Sequence, residues 1–234
     1  MKIVLTCEHG GNEVPVHQQH LFSLNKQILH THKGLDLGAL DLFNQLKPLA
    51  DFSIASTTSR LLIELNRSLH HKNLFSDYSK TISTSEKKEL IASYYLVYRN
   101  EVENSIRSYI KEGNEVLHIS VHSFTPILNS IERNCDIGLL YDSSHTKEKA
   151  FCNLLKKKIL AQNPLLNVRY NYPYLGKMDG FTTYLRKQFI SNYIGIELEV
   201  NQKYVRENKL DVEICEMLVS SFEGLFFSDG ISDL

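Results

Sequence analysis

Two of the ten histidines stand where chemistry is expected. His9 in LTCEHGG and His122 in HISVHSF each follow directly on an apolar, β-branched run. At strand ends of an α/β sheet, side chains leave the core and face a crevice where ligands bind. Two neutral imidazoles delivered there, completed by one carboxylate and a water, give the open coordination sphere of a catalytic zinc. Taken singly, either histidine reads as a hydrogen-bonded interior residue, and it is the pairing that favours a metal.

Gly10 and Gly11 follow His9 and let the backbone turn sharply and let a substrate or metal approach without a Cβ in the way. A phosphate-cradling loop is the competing reading, but neither G-x-G-x-x-G nor G-x-x-x-x-G-K-[ST] occurs. In SRLLIELNRS, residues 59–68, period-two alternation places Glu64, Asn66 and Arg60 on one face of a strand. A guanidinium fork beside an amide suits a substrate carboxylate, whereas an ion pair of Arg60 or Arg67 with Glu64 is the plain structural alternative.

Near the C-terminus, YIGIELEVNQKY puts Glu197 and Glu199 on one face of an otherwise apolar strand. Burying both is costly without a cation, so at least one lines the polar mouth of the sheet, where a carboxylate beside an activated water serves as a general base. An ordinary salt bridge is the alternative. Residues 170–186 read as a structured loop entering a helix near Gly180, with Asp179 as its N-cap; Lys177 and Arg186, interleaved with aromatics, offer a pocket lid or anion-binding wall.

The elements that must position these groups are legible as short apolar runs alternating with amphipathic stretches, the pattern of an α/β protein. Strands are expected at 2–7, 52–57, 61–65, 116–121, 136–141, 166–170 and 193–200. The clearest helix spans 86–111, with apolar residues recurring every four from Leu90 to Ile110, a Ser83-x-x-Glu86 capping box before it and Gly113 after it. Weaker helical patterns cover 35–47, 145–161, 180–188 and 207–226. With 234 residues, 42% hydrophobic and 23% charged, and no linker or repeat, one domain over 1–234 is expected.

A formal charge of −1 supplies no field to gather nucleic acid or an anionic membrane. No apolar run approaches the ~20 residues that span a bilayer, and none reads as a signal peptide. Cys7, Cys135, Cys152 and Cys215 lie far apart, so neither a disulfide framework nor a cysteine zinc site is suggested. A cytoplasmic protein with a small-molecule substrate, binding neither nucleic acid nor membrane, is the expectation.

Taken in order, CEHGGNEVP (7–15), HKGLDLGA (32–39), SRLLIELNRS (59–68), VHSFTP (121–126), RNCDIGLLYD (133–142), NYPYLGKMDGFTTYLR (171–186) and GIELEVNQKY (195–204) resemble the motifs of the N-formylglutamate amidohydrolase family. The resemblance implies a phosphorylase/hydrolase-like fold similar to zinc carboxypeptidases and aspartoacylase: a mixed central sheet flanked by helices, with the metal at strand ends. It implies hydrolysis of an N-formyl or N-acyl amide on an amino acid carrying carboxylates, as in N-formylglutamate, with Zn2+ held by His9, His122 and a third ligand. Asp36 matches an acidic position of the second motif; Glu13, four residues after His9, is the other candidate. Relatives with H-x-x-E would need a glutamate at residue 12, where this chain has Asn12. The same resemblance makes Glu199 the base, Asn66 and Arg67 the holders of the substrate carboxylate, and Arg60 the group that polarises the scissile carbonyl.

Two other readings compete. Cys7 and His9 share a strand face and could pair as nucleophile and base, although no oxyanion signature accompanies them. A non-catalytic member of the fold, binding a carboxylated metabolite or a protein partner, is the alternative from another class.

Overall fold

In the computed structural model, which describes residues 1–226, ten strands are formed. They are β1 (Lys2–Cys7), β2 (Phe52–Ala55), β3 (Val116–Phe124), β4 (Ile127–Leu128), β5 (Ile131–Glu132), β6 (Ile137–Leu140), β7 (Val168–Tyr170), β8 (Tyr193–Asn201), β9 (Val205–Arg206) and β10 (Lys209–Leu210). Six make the central sheet in the order β2-β1-β3-β8-β6-β7. The first four run parallel, and β6 and β7, parallel to each other, run against them. The chain passes from β1 to β2 on one side and returns with β3 on the other. That reversal of strand order opens a crevice between the C-terminal ends of β1 and β3.

Alternation along the central strands explains the layers. Ile3, Leu5 and Cys7 of β1, Leu117, Ile119 and Val121 of β3, and Ile194, Ile196, Leu198 and Val200 of β8 point to one face and are buried. Helices α1 (Ala39–Leu46), α4 (Thr146–Gln162) and α6 (Val212–Phe226) cover that face with Leu42, Phe43, Phe151, Leu155, Leu218 and Phe222. The opposite face is apolar only at its lower end. There Val4 and Val116 meet Leu90 of α2 (Thr84–Leu90), Tyr98 and Val102 of α3 (Leu96–Lys111), and Phe181 and Leu185 of α5 (Phe181–Gln188). Higher on it Thr6, His118, Ser120, His122, Glu197 and Glu199 replace hydrocarbon. The result is one α/β domain with a mixed central sheet; residues 227–234 of the expected 1–234 unit lie outside the described residues.

Several expectations need correction. Residues 61–65 form turns, not a strand. Leu62 and Ile63 are consecutive yet both fully buried in one cluster, which alternation cannot provide, and their backbone folds onto Ser59. The strand expected at 116–121 runs to Phe124, so His122 lies within it. The helix expected at 207–226 begins at Val212. Glu207 and Asn208, with φ of 51° and 60°, instead turn the β9-β10 hairpin. The 35–47 helix begins at Ala39, because Gly38 (φ 77°) and the residues before it are spent on a turn. The long helix starts at Thr84 with both capping-box bonds in place, and a π-helical turn at Ile91–Tyr95 brings Tyr95 as well as Tyr98 into the interior.

Candidate metal centre and active site

Beyond β1 and β2 the two segments continue side by side: Ser56 N–H donates to Cys7 O, Glu13 N–H to Thr57 O, and Ser59 N–H to Glu13 O. Gly11 is required here by close approach, since a Cβ would stand 2.4 Å from Thr57 O. Its neighbour is backbone rather than substrate, which corrects the reason first assigned to it. The segment before α1 is clamped between the two, with Asp36 N–H donating to His9 O at 2.9 Å and Ser59 Oγ to Gly34 O at 2.9 Å. Asp36 is thereby carried to His9, across 27 positions of sequence.

His9 Nδ1 lies 3.2 Å and His122 Nδ1 2.9 Å from the same oxygen, Asp36 Oδ2. The ring centroids are 5.0 Å apart. The three side chains are buried, and each offers one ligand atom, all within 4.8 Å of one another. Glu13 is elsewhere, accepting a bond from Thr57 Oγ1 at 2.8 Å, so Asp36 is the acid brought to the histidines.

The far nitrogen of each imidazole meets a second buried carboxylate. His9 Nε2 pairs with Glu64 Oε1, and His122 Nε2 lies 3.2 Å from Glu8 Oε2 and 2.9 Å from Ser120 Oγ. A carboxylate behind a metal-facing imidazole fixes its tautomer and raises its basicity. Glu8 is fully buried and takes further bonds from Ser120 Oγ (2.5 Å) and Tyr98 OH (3.0 Å). Burial would raise its carboxyl, but the bonds from His122 and Ser120 prevail and hold it well below the usual range. Burial opposes charge at Asp36 and Glu64 too, yet His9 and Arg60 keep both carboxyls ionised.

Neither Glu8 nor Glu64 was singled out for this task by sequence reasoning. For Glu8 a signal existed: Thr6 and Glu8, and His118, Ser120 and His122, are polar at period two within apolar runs.

Arg60 donates Nε and Nη2 to Glu64 Oε2 (3.0 and 2.7 Å) and Nη1 to Asp36 Oδ1 (2.9 Å). The structural ion pair anticipated as an alternative is therefore formed, and two of its five N–H remain. Asn66 Oδ1 accepts from Phe181 N–H at 2.6 Å, capping α5, while its amide nitrogen lies 3.3 Å from His122 Nε2. Arg67 Nη1 donates to Asp179 O. Arg99 holds this turn from beneath: it donates to Leu65 O and Arg67 O and is enclosed by the rings of Tyr95, Phe181 and Tyr184.

Glu199 is the register partner of His122 on the parallel neighbour β8, so the two side chains stand side by side on one face. It is 4% exposed, and its Oε2 has no hydrogen-bond partner among the described residues. Burial, reinforced by Asp36 and Glu197, pushes its carboxyl up to about 8. Glu197 accepts from Thr182 Oγ1 at 2.7 Å. His9, Asp36, His122 and Glu199 open onto a cavity of about 130 Å³ that Arg60, Asn66 and Arg67 also line.

Other expectations fail. Asp179 does not cap α5: Gly180 occupies that position and Asp179 Oδ2 accepts from Ser68 N–H. Arg186 is no anion wall, being buried on Glu148 at 2.7 Å. Cys7 is sealed in the core, where burial pushes its thiol well above the ordinary range, so it has no access to act as a nucleophile.

The sequence matches the profile of the family described as N-formylglutamate amidohydrolase over residues 1–205. No curated protein is significantly similar to it in sequence. Among solved structures, a gene product of Agrobacterium tumefaciens superposes with a TM-score of 0.76 at 20% identity, covering 96% of this chain and 91% of the other. An N-formylglutamate amidohydrolase from Ralstonia eutropha gives 0.72 at 15% identity, over 97% and 93%. These likenesses are of fold.

Proposed function

Because the chain belongs to the N-formylglutamate amidohydrolase family, we propose that it is a zinc-dependent hydrolase cleaving the amide of an N-formyl or N-acyl amino acid to an amino acid and a carboxylate. The observation that carries this reading is the meeting of His9, Asp36 and His122 beside Glu199 Oε2, a buried oxygen without a partner. The donors are two imidazole nitrogens and a carboxylate oxygen, a set suited to zinc and open on the side of the cavity. His9, Asp36 and His122 would hold the ion, which when bound supplies Lewis acidity, polarising an acyl carbonyl and making hydroxide available near pH 7.

The chain's own residues do the rest. Glu199 takes a proton from the attacking water as the new C–O bond forms, and returns it to the amine nitrogen as the C–N bond breaks. A carboxyl raised by burial toward neutrality suits both transfers, and a cation close by would draw it down so that it starts as the base. Arg60 keeps Asp36 and Glu64 ionised and has two N–H for the oxygen on which charge develops. Arg67, with the Asn66 amide, grips the carboxylate of the amino acid and fixes the attack geometry.

Metal analysis of the purified protein tests the reading, with one zinc per chain expected and His122→Ala abolishing it. Turnover of N-formyl amino acids should cease with a chelator and return with zinc. Full turnover after removal of every divalent ion would refute it, and zinc held without turnover of any acyl-amino acid would favour the non-catalytic binder.

A further inference from the structure

The charges around the cavity suggest which amino acid it takes. Among the described residues only two arginine or lysine side chains line it, Arg60 and Arg67. Arg60 is committed to Asp36 and Glu64, which leaves Arg67 for one carboxylate. The other basic groups near by are not among the lining residues: Arg186 is buried on Glu148, Arg133 stacks on the Tyr174 ring, 5.1 Å from its centroid, with Nη2 donating to the Tyr174 hydroxyl, and Lys177 is exposed on the loop beside Met178.

Besides Asp36 and Glu199, two further acids line the cavity. Glu197 and Asp179 accept bonds from Thr182 Oγ1 and Ser68 N–H, but neither has an ion-pair partner among the described residues. A second substrate carboxylate would therefore meet negative charge, at close range and partly screened from water. The remaining wall is apolar: Leu175 and Met178 line the cavity while 48% and 56% exposed, and Tyr174 is 43% exposed beside them. Hydrocarbon left open beside a polar centre is favourably covered by an apolar ligand group.

We infer that the site selects N-formyl or N-acyl amino acids bearing one carboxylate and an apolar side chain, and rejects those bearing a second carboxylate. Arg67 receives the single carboxylate, Tyr174, Leu175 and Met178 receive the side chain, and Glu197 and Asp179 repel a dianion. This rests on the hydrolase reading for its substrate class.

The test measures kcat/KM of the zinc-loaded protein for N-formylleucine, N-formylmethionine, N-formylglutamate and N-formyllysine, and in parallel the affinity of each by calorimetry, which requires no turnover. A preference of tenfold or more for leucine and methionine over glutamate is expected in both. Glu197→Gln, and independently Asp179→Asn, should narrow that ratio at least threefold by improving glutamate. N-formylglutamate bound as well as N-formylleucine would overturn the inference, as would a preference for N-formyllysine or failure to bind any of the four. The predicted order of affinities with no turnover would uphold the selectivity and sink the hydrolase reading alone.

Discussion

A carboxylate oxygen buried without a partner is unfavourable unless something arrives to meet it, and among the described residues Glu199 Oε2 is such an atom. Its place beside His122 makes the attacking water the natural visitor. Glu199→Gln keeps the shape but cannot take a proton, so kcat should fall by about 10² to 10⁴-fold. Zinc content should stay at the wild-type value, because Glu199 is outside the His9, Asp36 and His122 set. Steady-state kinetics with metal analysis checks both, and undiminished turnover would remove Glu199 from the role. Much of this site was readable: the two acids of an otherwise apolar strand must find a cation, a hydrogen-bond donor or a cavity. The period-two polar pattern marked Glu8, but which imidazoles Glu8 and Glu64 orient was not readable, because these lie 114 and 55 positions away in the chain.

The elements are tied together around one buried ion pair. Arg186 of α5 donates to Glu148 of α4, to Gly195 O of β8 and to Gly176 O of the loop that carries Leu175 and Met178. Glu148 in turn accepts from Gly195 and Asp142 N–H. Removing one partner strands the other charge, so Arg186→Met should destabilise the fold by about 3 to 5 kcal/mol in urea titration. A loss under 1 kcal/mol would show that the pair is not the tie described here. The sequence suggested a different task for Arg186 because a cation at this distance from a polar loop usually faces solvent or a ligand. Only the packing of α5 on β8 buries it. The same limit explains residues 61–65: a run of four apolar residues and one glutamate is compatible with strand or with a buried turn, and Leu74 O, which accepts the Glu64 N–H, is brought there only in three dimensions.

For the whole molecule, His118 links the sheet to acid stability. It is fully buried, bonded to Thr6 Oγ1 at 2.8 Å and Tyr193 OH at 2.7 Å. Burial lowers it from 6.5 to about 4; Glu8 opposes the shift, whereas Arg186 and His122 add to it. Between those values the unfolded chain binds the proton and the folded chain does not, so stability is lost as pH falls from 6.5 toward 4. At about 1.4 kcal/mol per pH unit the loss reaches about 3 kcal/mol. His118→Gln should flatten that part of the profile, which urea titrations of both proteins across pH 4 to 7 would reveal. Identical slopes would contradict it. Among the described residues no helix is long and apolar enough to cross a membrane.

Local patterns by themselves determined the α/β class, six of the seven expected strands, the capping box at Ser83 and the imidazoles at positions 9 and 122. Each is written in neighbouring residues as periodicity, a cap or a polar break in an apolar run. Only the tertiary structure decided that Asp36 rather than Glu13 joins the histidines, that Arg60 is spent on Glu64 and Asp36, and that Glu197 and Asp179 face the cavity unpaired. Those outcomes depend on sheet order and on which turns are clamped together, and distances between groups dozens of positions apart exist only once the chain has closed on itself.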